Sequence, residues 1–168
     1  SGSVSLAKSL SRVEFLAHLD LGDNHIADAG ASSLAEGICR LTSLRTLALG
    51  GNLINVDGAR ALAASLPPNL AALNLNFNEV GDEGGAALAA ALLQGASSLT
   101  SLHLNSNSIG HAGLLALVSA ALARTALKQL YLRGNLTDSL HGPVAAESPS
   151  LSSQAIVGVR FSLRGEEG

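Results

Sequence analysis

Leucine is placed along this chain in a recurring group. Leu16, Leu19, Leu21 and Asn24 hold the first, fourth, sixth and ninth positions of a short stretch, and the group returns at Leu44, Leu47, Leu49 and Asn52. It returns again at Leu70, Leu73, Leu75 and Asn78, at Leu99, Leu102, Leu104 and Asn107, and at Leu127, Leu130, Leu132 and Asn135. Successive asparagines lie 28, 26, 29 and 28 residues apart, the signature of a repeat array. Alternation of leucine with polar or small residues predicts a short strand within each core.

A second pattern follows each asparagine. An aliphatic stands two positions on (Ile26, Ile54, Val80, Ile109), and a glycine stands six positions on (Gly30, Gly58, Gly84, Gly113). Four residues past each glycine comes Leu34, Leu62, Leu88 or Leu117, and a further four brings Ile38, Leu66, Leu92 or Ala121. Spacing of i, i+4 marks one face of a helix. From glycine to the next core leucine the counts are 14, 12, 15 and 14, so length varies only in the helix and the loop after it. Asp28 and Asp82 stand where an N-cap is expected for two helices, with His111 at the equivalent place in the fourth repeat. The core leucines are expected to face inward between strand and helix. Asn24, Asn52, Asn78, Asn107 and Asn135 are expected to turn inward at the strand ends, as a ladder of amides that bond backbone groups leaving the sheet.

The ends depart from the pattern. Gly2, Leu6, Leu10 and Val13 align with Gly30, Leu34, Ile38 and Leu41, so the sequence begins inside a helical segment, as a piece cut from a longer array would. Residues 1–135 read as the repeats, with five core strands. Residues 136–168 read as a degenerate C-terminal repeat or cap, because Thr137 replaces the aliphatic and Pro143 and Pro149 oppose a regular helix. Ile156, Val159, Phe161 and Arg164 recover the core spacing and predict a terminal strand near 156–163; a loose Ser/Pro tail is the alternative.

Composition narrows the class. The chain is 47% hydrophobic with four aromatics, which favours thin repeated layers of aliphatics over one thick core. The formal charge is −3 with scattered Lys and Arg, so no basic stripe is present to neutralise nucleic acid. One cysteine, Cys39, cannot form an internal disulfide, and a repeat array without disulfides suits a reducing, cytoplasmic setting. No apolar run reaches the roughly 18 residues of a membrane span.

Cores of L-x-x-L-x-L-x-x-N, a glycine and then an Ala/Leu-rich helix, repeated at about 28 residues, resemble the ribonuclease-inhibitor class of leucine-rich repeats. The resemblance covers roughly residues 2 to 135. It implies an α/β horseshoe solenoid, with a parallel β-sheet on the concave face and α-helices on the convex face. Relatives of that kind include ribonuclease inhibitor, the leucine-rich regions of NOD-like receptors and the GTPase-activating protein for Ran. The expected role is therefore a non-enzymatic module that binds another protein through its concave face, as part of a larger intracellular receptor or inhibitor. Two other readings stand beside it: a GTPase activator of the Ran-directed type, with Asn55 as its loop asparagine, and a purely architectural spacer.

On a concave sheet the residues between the leucines face out. One column is Asp20, Ala48, Asn74, His103, Tyr131 and Arg160; the next is Gly22, Gly50, Asn76, Asn105, Arg133 and Ser162; the third is His18, Thr46, Ala72, Ser101 and Gln129. Repeat two offers only small groups there, whereas repeats three to five offer amides, imidazole, phenol and guanidinium. The binding residues read from this are Asn74, Asn76, Phe77, His103, Asn105, Tyr131 and Arg133, with Tyr131 and Arg133 as anchors. Two placements fit Phe77, on the rim beside Asn76 or beneath the ascending loop. No catalytic, metal, cofactor or small-molecule site is expected: the five histidines lie in different contexts, and His18 with Asp20, which share a strand face, have no nucleophile beside them. Asn135-Leu136-Thr137 is a glycosylation sequon whose asparagine already has a place in the ladder.

Overall fold

A computed structural model describes residues 2–10, 13, 15–94, 98–123 and 126–135. The terminal strand expected near 156–163, and with it Arg160 and Ser162, lies outside the described residues. Helix and strand alternate along the chain: α1 (Gly2–Leu10), β1 (His18–Asp20), α2 (Asp28–Ile38), β2 (Thr46–Ala48), α3 (Val56–Ala64), β3 (Ala72–Asn74), α4 (Gly81–Leu93), β4 (Ser101–His103), α5 (His111–Leu122) and β5 (Gln129–Tyr131).

The five strands form one parallel sheet in sequence order, β1-β2-β3-β4-β5. Register follows the repeat: Leu19, Leu47, Leu73, Leu102 and Leu130 align across the sheet, as do Asp20, Ala48, Asn74, His103 and Tyr131. Backbone pairing continues past each strand, for example from the N–H of Leu49 to the carbonyl of Asn74 (2.8 Å) and from that of Phe77 to Asn105 (2.8 Å). Core leucines of repeats two to five are buried, along with Ile54, Val80 and Ile109 behind them. Each such leucine stabilises the fold by about 1.5–3 kcal/mol before entropy is counted. Leu16, Leu19 and Leu21 are only half-buried, because β1 pairs on one side only.

The helices stack as a second layer, each against the next in the order α1 to α5. Their starts correct one expectation. Asp28 does not cap its own helix α2, whose N-cap is Ala27. Its Oδ1 instead accepts the N–H groups of Asn55 (2.8 Å) and Gly58 (2.9 Å), at the start of α3 in the next coil. Asp82 acts likewise on α5, accepting the N–H of Gly113 (2.7 Å). A Cβ on Gly58 or Gly113 would come within 2.6 or 2.7 Å of that carboxylate oxygen, so both positions of the repeat must stay bare.

Candidate concave binding face

The amide ladder is built between coils. Asn52 Oδ1 accepts the N–H of Asn24 (3.1 Å) and of Ile26 (2.8 Å), while its Nδ2 donates to the carbonyls of Leu21 (2.9 Å) and Leu49 (3.0 Å). Asn78 repeats the pattern on Ile54, Leu49 and Leu75. Asn107 does so on Val80 and Leu75, and Asn135 on Ile109, Leu104 and Leu132. Each amide thus satisfies backbone groups of its own turn and of the preceding coil. Asn24 is the exception to the expected ladder: it is exposed, and its Nδ2 reaches only the carbonyl of Gly22 (2.7 Å). Among the described residues no strand pairs with the far side of β1, so the amide has no preceding strand end to bond.

With the strand ends pinned, the side chains between the leucines form the concave surface. His103 and Tyr131 sit side by side on β4 and β5 and stack, ring centroids 4.3 Å apart and planes 22° apart. Ser101 Oγ donates to Gln129 Oε1 (3.2 Å), so at the 2.9 Å contact between Ser101 Oγ and His103 Nε2 the imidazole is the donor. This fixes the tautomer, with Nδ1 left as the acceptor. Partial burial holds the imidazole below its usual 6.5. Arg133 is exposed beyond the stack. Asn74, Asn76 and Asn105 are half-buried in the same columns.

The sequence comparison supplies the family. Residues 14–35, 40–63, 67–89 and 95–118, more than half of the chain, match the leucine-rich repeat family. This chain belongs to the leucine-rich repeat family. Leiomodin-1 actin-binding site 2 is similar in structure, with a TM-score of 0.66 at 20% identity over 79% of this chain and 78% of that one. That likeness is one of fold. A search of curated proteins gave no match.

Three features of these leucine-rich repeats escape the residue pattern. Repeat two, which offers only small groups, floors a depression of about 280 Å³ at Ala48, Gly50 and Gly51, bordered by Asp23, Asn74 and Phe77. Phe77 is 66% exposed beside it. The residue before each ladder asparagine is left-handed: Asp23 (φ 56°), Gly51 (66°), Phe77 (56°), Ser106 (53°) and Gly134 (72°). Phenylalanine is a poor choice for that conformation, which spacing rules for leucine and asparagine do not report. Finally, His18 and Asp20 do not bond each other. His18 Nδ1 pairs with Thr46 Oγ1 (2.7 Å), and Asp20 Oδ1 accepts the N–H of Gly22 (2.9 Å). Among the described residues no group of His, Cys, Asp and Glu is arranged to hold a metal ion, and no helix is long and apolar enough to cross a membrane.

Proposed function

We propose that this leucine-rich repeat chain is a non-enzymatic, cytoplasmic binding module that recognises a partner protein on its concave face through Asn74, Asn76, Phe77, His103, Asn105, Tyr131 and Arg133. The observation that carries the reading is the His103–Tyr131 stack with exposed Arg133 two residues on from Tyr131, an aromatic and guanidinium group in repeats whose other outward side chains are small residues and amides. Tyrosine and arginine bring large contact area and directed hydrogen bonds, the chemistry of interface anchors. A repeat length near 28 residues supports a place in a larger protein of the ribonuclease-inhibitor or NOD-like-receptor type. The neighbour's name as an actin-binding site makes actin one partner worth assaying.

GTPase activation through Asn55 has less support. Asn55 is the N-cap of α3, and its Nδ2 is engaged by Asp28 Oδ2 (3.3 Å), so its amide is part of the coil junction.

The test is capture of partners, F-actin included, by the wild-type chain and by the double substitution Tyr131→Ala with Arg133→Ala. Loss of a specific partner in the variant, with an unchanged circular dichroism melt, supports the reading. Equal capture of every partner by both proteins removes it.

A further inference from the structure

The amides of repeats three to five are oriented by the fold in a way that fixes what they can recognise. Asn74 Oδ1 accepts the N–H of Asn76 (2.9 Å), Asn76 Oδ1 accepts that of Asn105 (2.8 Å), and Asn105 Oδ1 accepts that of Arg133 (2.7 Å). A second amide ladder therefore runs across the concave surface, outside the buried one. Because every oxygen is committed to a backbone N–H, each amide has one possible orientation, with its Nδ2 as the remaining polar atom. None of these three Nδ2 groups has a partner among the described residues, and neither does the guanidinium of Arg133. Gln129 is spent in the same sense, its Oε1 accepting from Ser101. Repeats one and two lack this ladder because Gly22 and Gly50 hold the position.

Resting on the protein-binding reading above, we infer that repeats three to five form a donor surface that takes an extended, carboxylate-bearing segment of the partner. The free N–H groups of Asn74, Asn76, Asn105 and Arg133 offer no complementary acceptors of their own, so a lysine-rich or amide-donating segment would leave donors facing donors. Carboxylates and backbone carbonyls satisfy them, and Arg133 adds the bidentate geometry and charge that select a carboxylate. Spacing fits: neighbouring parallel strands lie about 4.8 Å apart, so Asn76, Asn105 and Arg133 cover about 10 Å. That is the reach of three or four extended residues at about 3.3 Å each. At the other end of the face, Asp20 and Asp23 carry negative charge in repeat one and confine an acidic segment to the C-terminal repeats. His103 Nδ1 and the Tyr131 hydroxyl keep acceptor capacity, so the selectivity belongs to the amides and the guanidinium.

Substituting Asn76→Asp with Asn105→Asp tests this cleanly. Aspartate keeps the oxygen that accepts the neighbouring backbone N–H and turns the outward N–H2 into an oxygen, so the ladder is retained while the surface polarity is inverted. Arg133→Gln serves as the second variant, since no described bond depends on its side chain. The probes are blocked hexaglutamate, hexalysine and an uncharged Gly/Ser hexapeptide, titrated into the isotope-labelled full chain while the side-chain amide resonances of Asn76 and Asn105 are followed. The expected result is saturable shifts with hexaglutamate and none with the uncharged peptide. Affinity should fall by at least about tenfold in either variant, with unchanged melting, and the Asp variant should gain binding to hexalysine. Absence of shifts with hexaglutamate, equal affinity in the variants, or preference of the wild type for hexalysine overturns the inference. If those results appear while Tyr131→Ala with Arg133→Ala still loses a partner, the polarity assignment falls and the concave-face reading stands. If hexaglutamate binds as expected and that pair loses no partner, the reverse holds.

Discussion

An asparagine in this ladder contributes according to how many buried backbone groups it satisfies, and that number differs along the chain. Removing the amide of Asn78 strands the N–H of Ile54, whereas the carbonyls of Leu49 and Leu75 each lose one of two amide donors and keep the bonds from Asn52 and Asn107. At about 1–3 kcal/mol for an unsatisfied buried group, Asn78→Ala should cost about 1–3 kcal/mol in urea unfolding, and exposed Asn24→Ala less than about 1. Phe77 runs the other way. Its exposed ring packs little, and its left-handed backbone costs about 1–2 kcal/mol relative to a residue free to adopt it. Phe77→Gly should therefore raise stability by up to about 1 kcal/mol while weakening partner capture; a drop in the urea midpoint would show that the ring is structural. His103 ties stability to pH. Its folded pKa lies below the usual 6.5 through loss of hydration on burial, so the folded state prefers the neutral ring. That contribution is complete above 6.5 and declines as pH falls through the window down to the folded value, because the unfolded chain takes the proton first. An imidazole NMR titration with a midpoint below 6.5, and a shallower pH dependence of unfolding in His103→Gln, are the expected observations.

At the scale of the element, the junction between coils is where reading by spacing fell short. The leucine and asparagine positions were legible because strand and helix periods differ and recur five times, and the parallel register matches them residue by residue. Asp28 and Asp82 were legible as helix-start residues but not as caps for a different helix, since a pattern along one repeat carries no information about which coil a side chain reaches. The second amide ladder was hidden for the same reason: Asn76 and Asn105 look like free surface amides until their partners, 29 and 28 residues away, are known. Asn24 failed as a ladder member because it follows β1, which is the edge strand of the described sheet. Cross-coil capping makes a specific demand. Asp28→Ala should destabilise by about 1–2 kcal/mol through the start of α3, whereas Asp57→Ala, an exposed carboxylate on α3 itself, should change stability by less than about 0.5 kcal/mol. Equal effects from the two substitutions in chemical denaturation would contradict the assignment.

For the molecule as a whole, stability is a sum over neighbouring coils, and the sheet and the helical layer tolerate change very differently. Sheet positions are tied in register to both neighbours through Leu47, Leu73 and Leu102, so adding one residue there turns every following side chain to the opposite face. Loops after the helices carry no such constraint. The span from Gly58 to Leu70 is 12 residues where the other repeats use 14 or 15, so this coil is short on its convex side only. Two residues inserted between Pro68 and Asn69 bring it to the length of its neighbours, and loop closure makes the added length cheap, below about 0.6 kcal/mol even for a doubled loop. Some of that margin is lost through Asn69, whose Nδ2 donates to the carbonyl of Thr42 (2.8 Å) and ties this loop to the preceding one. The insertion should leave a single cooperative unfolding transition within about 1 kcal/mol of the parent. One residue inserted after Leu73 should abolish that cooperativity, because it displaces Asn74 and the residues that follow from their partners on β2 and on β4 alike. Comparing the two insertions by urea titration, with circular dichroism and the Tyr131 fluorescence as separate probes, tests whether strand register rather than loop length holds this stack together.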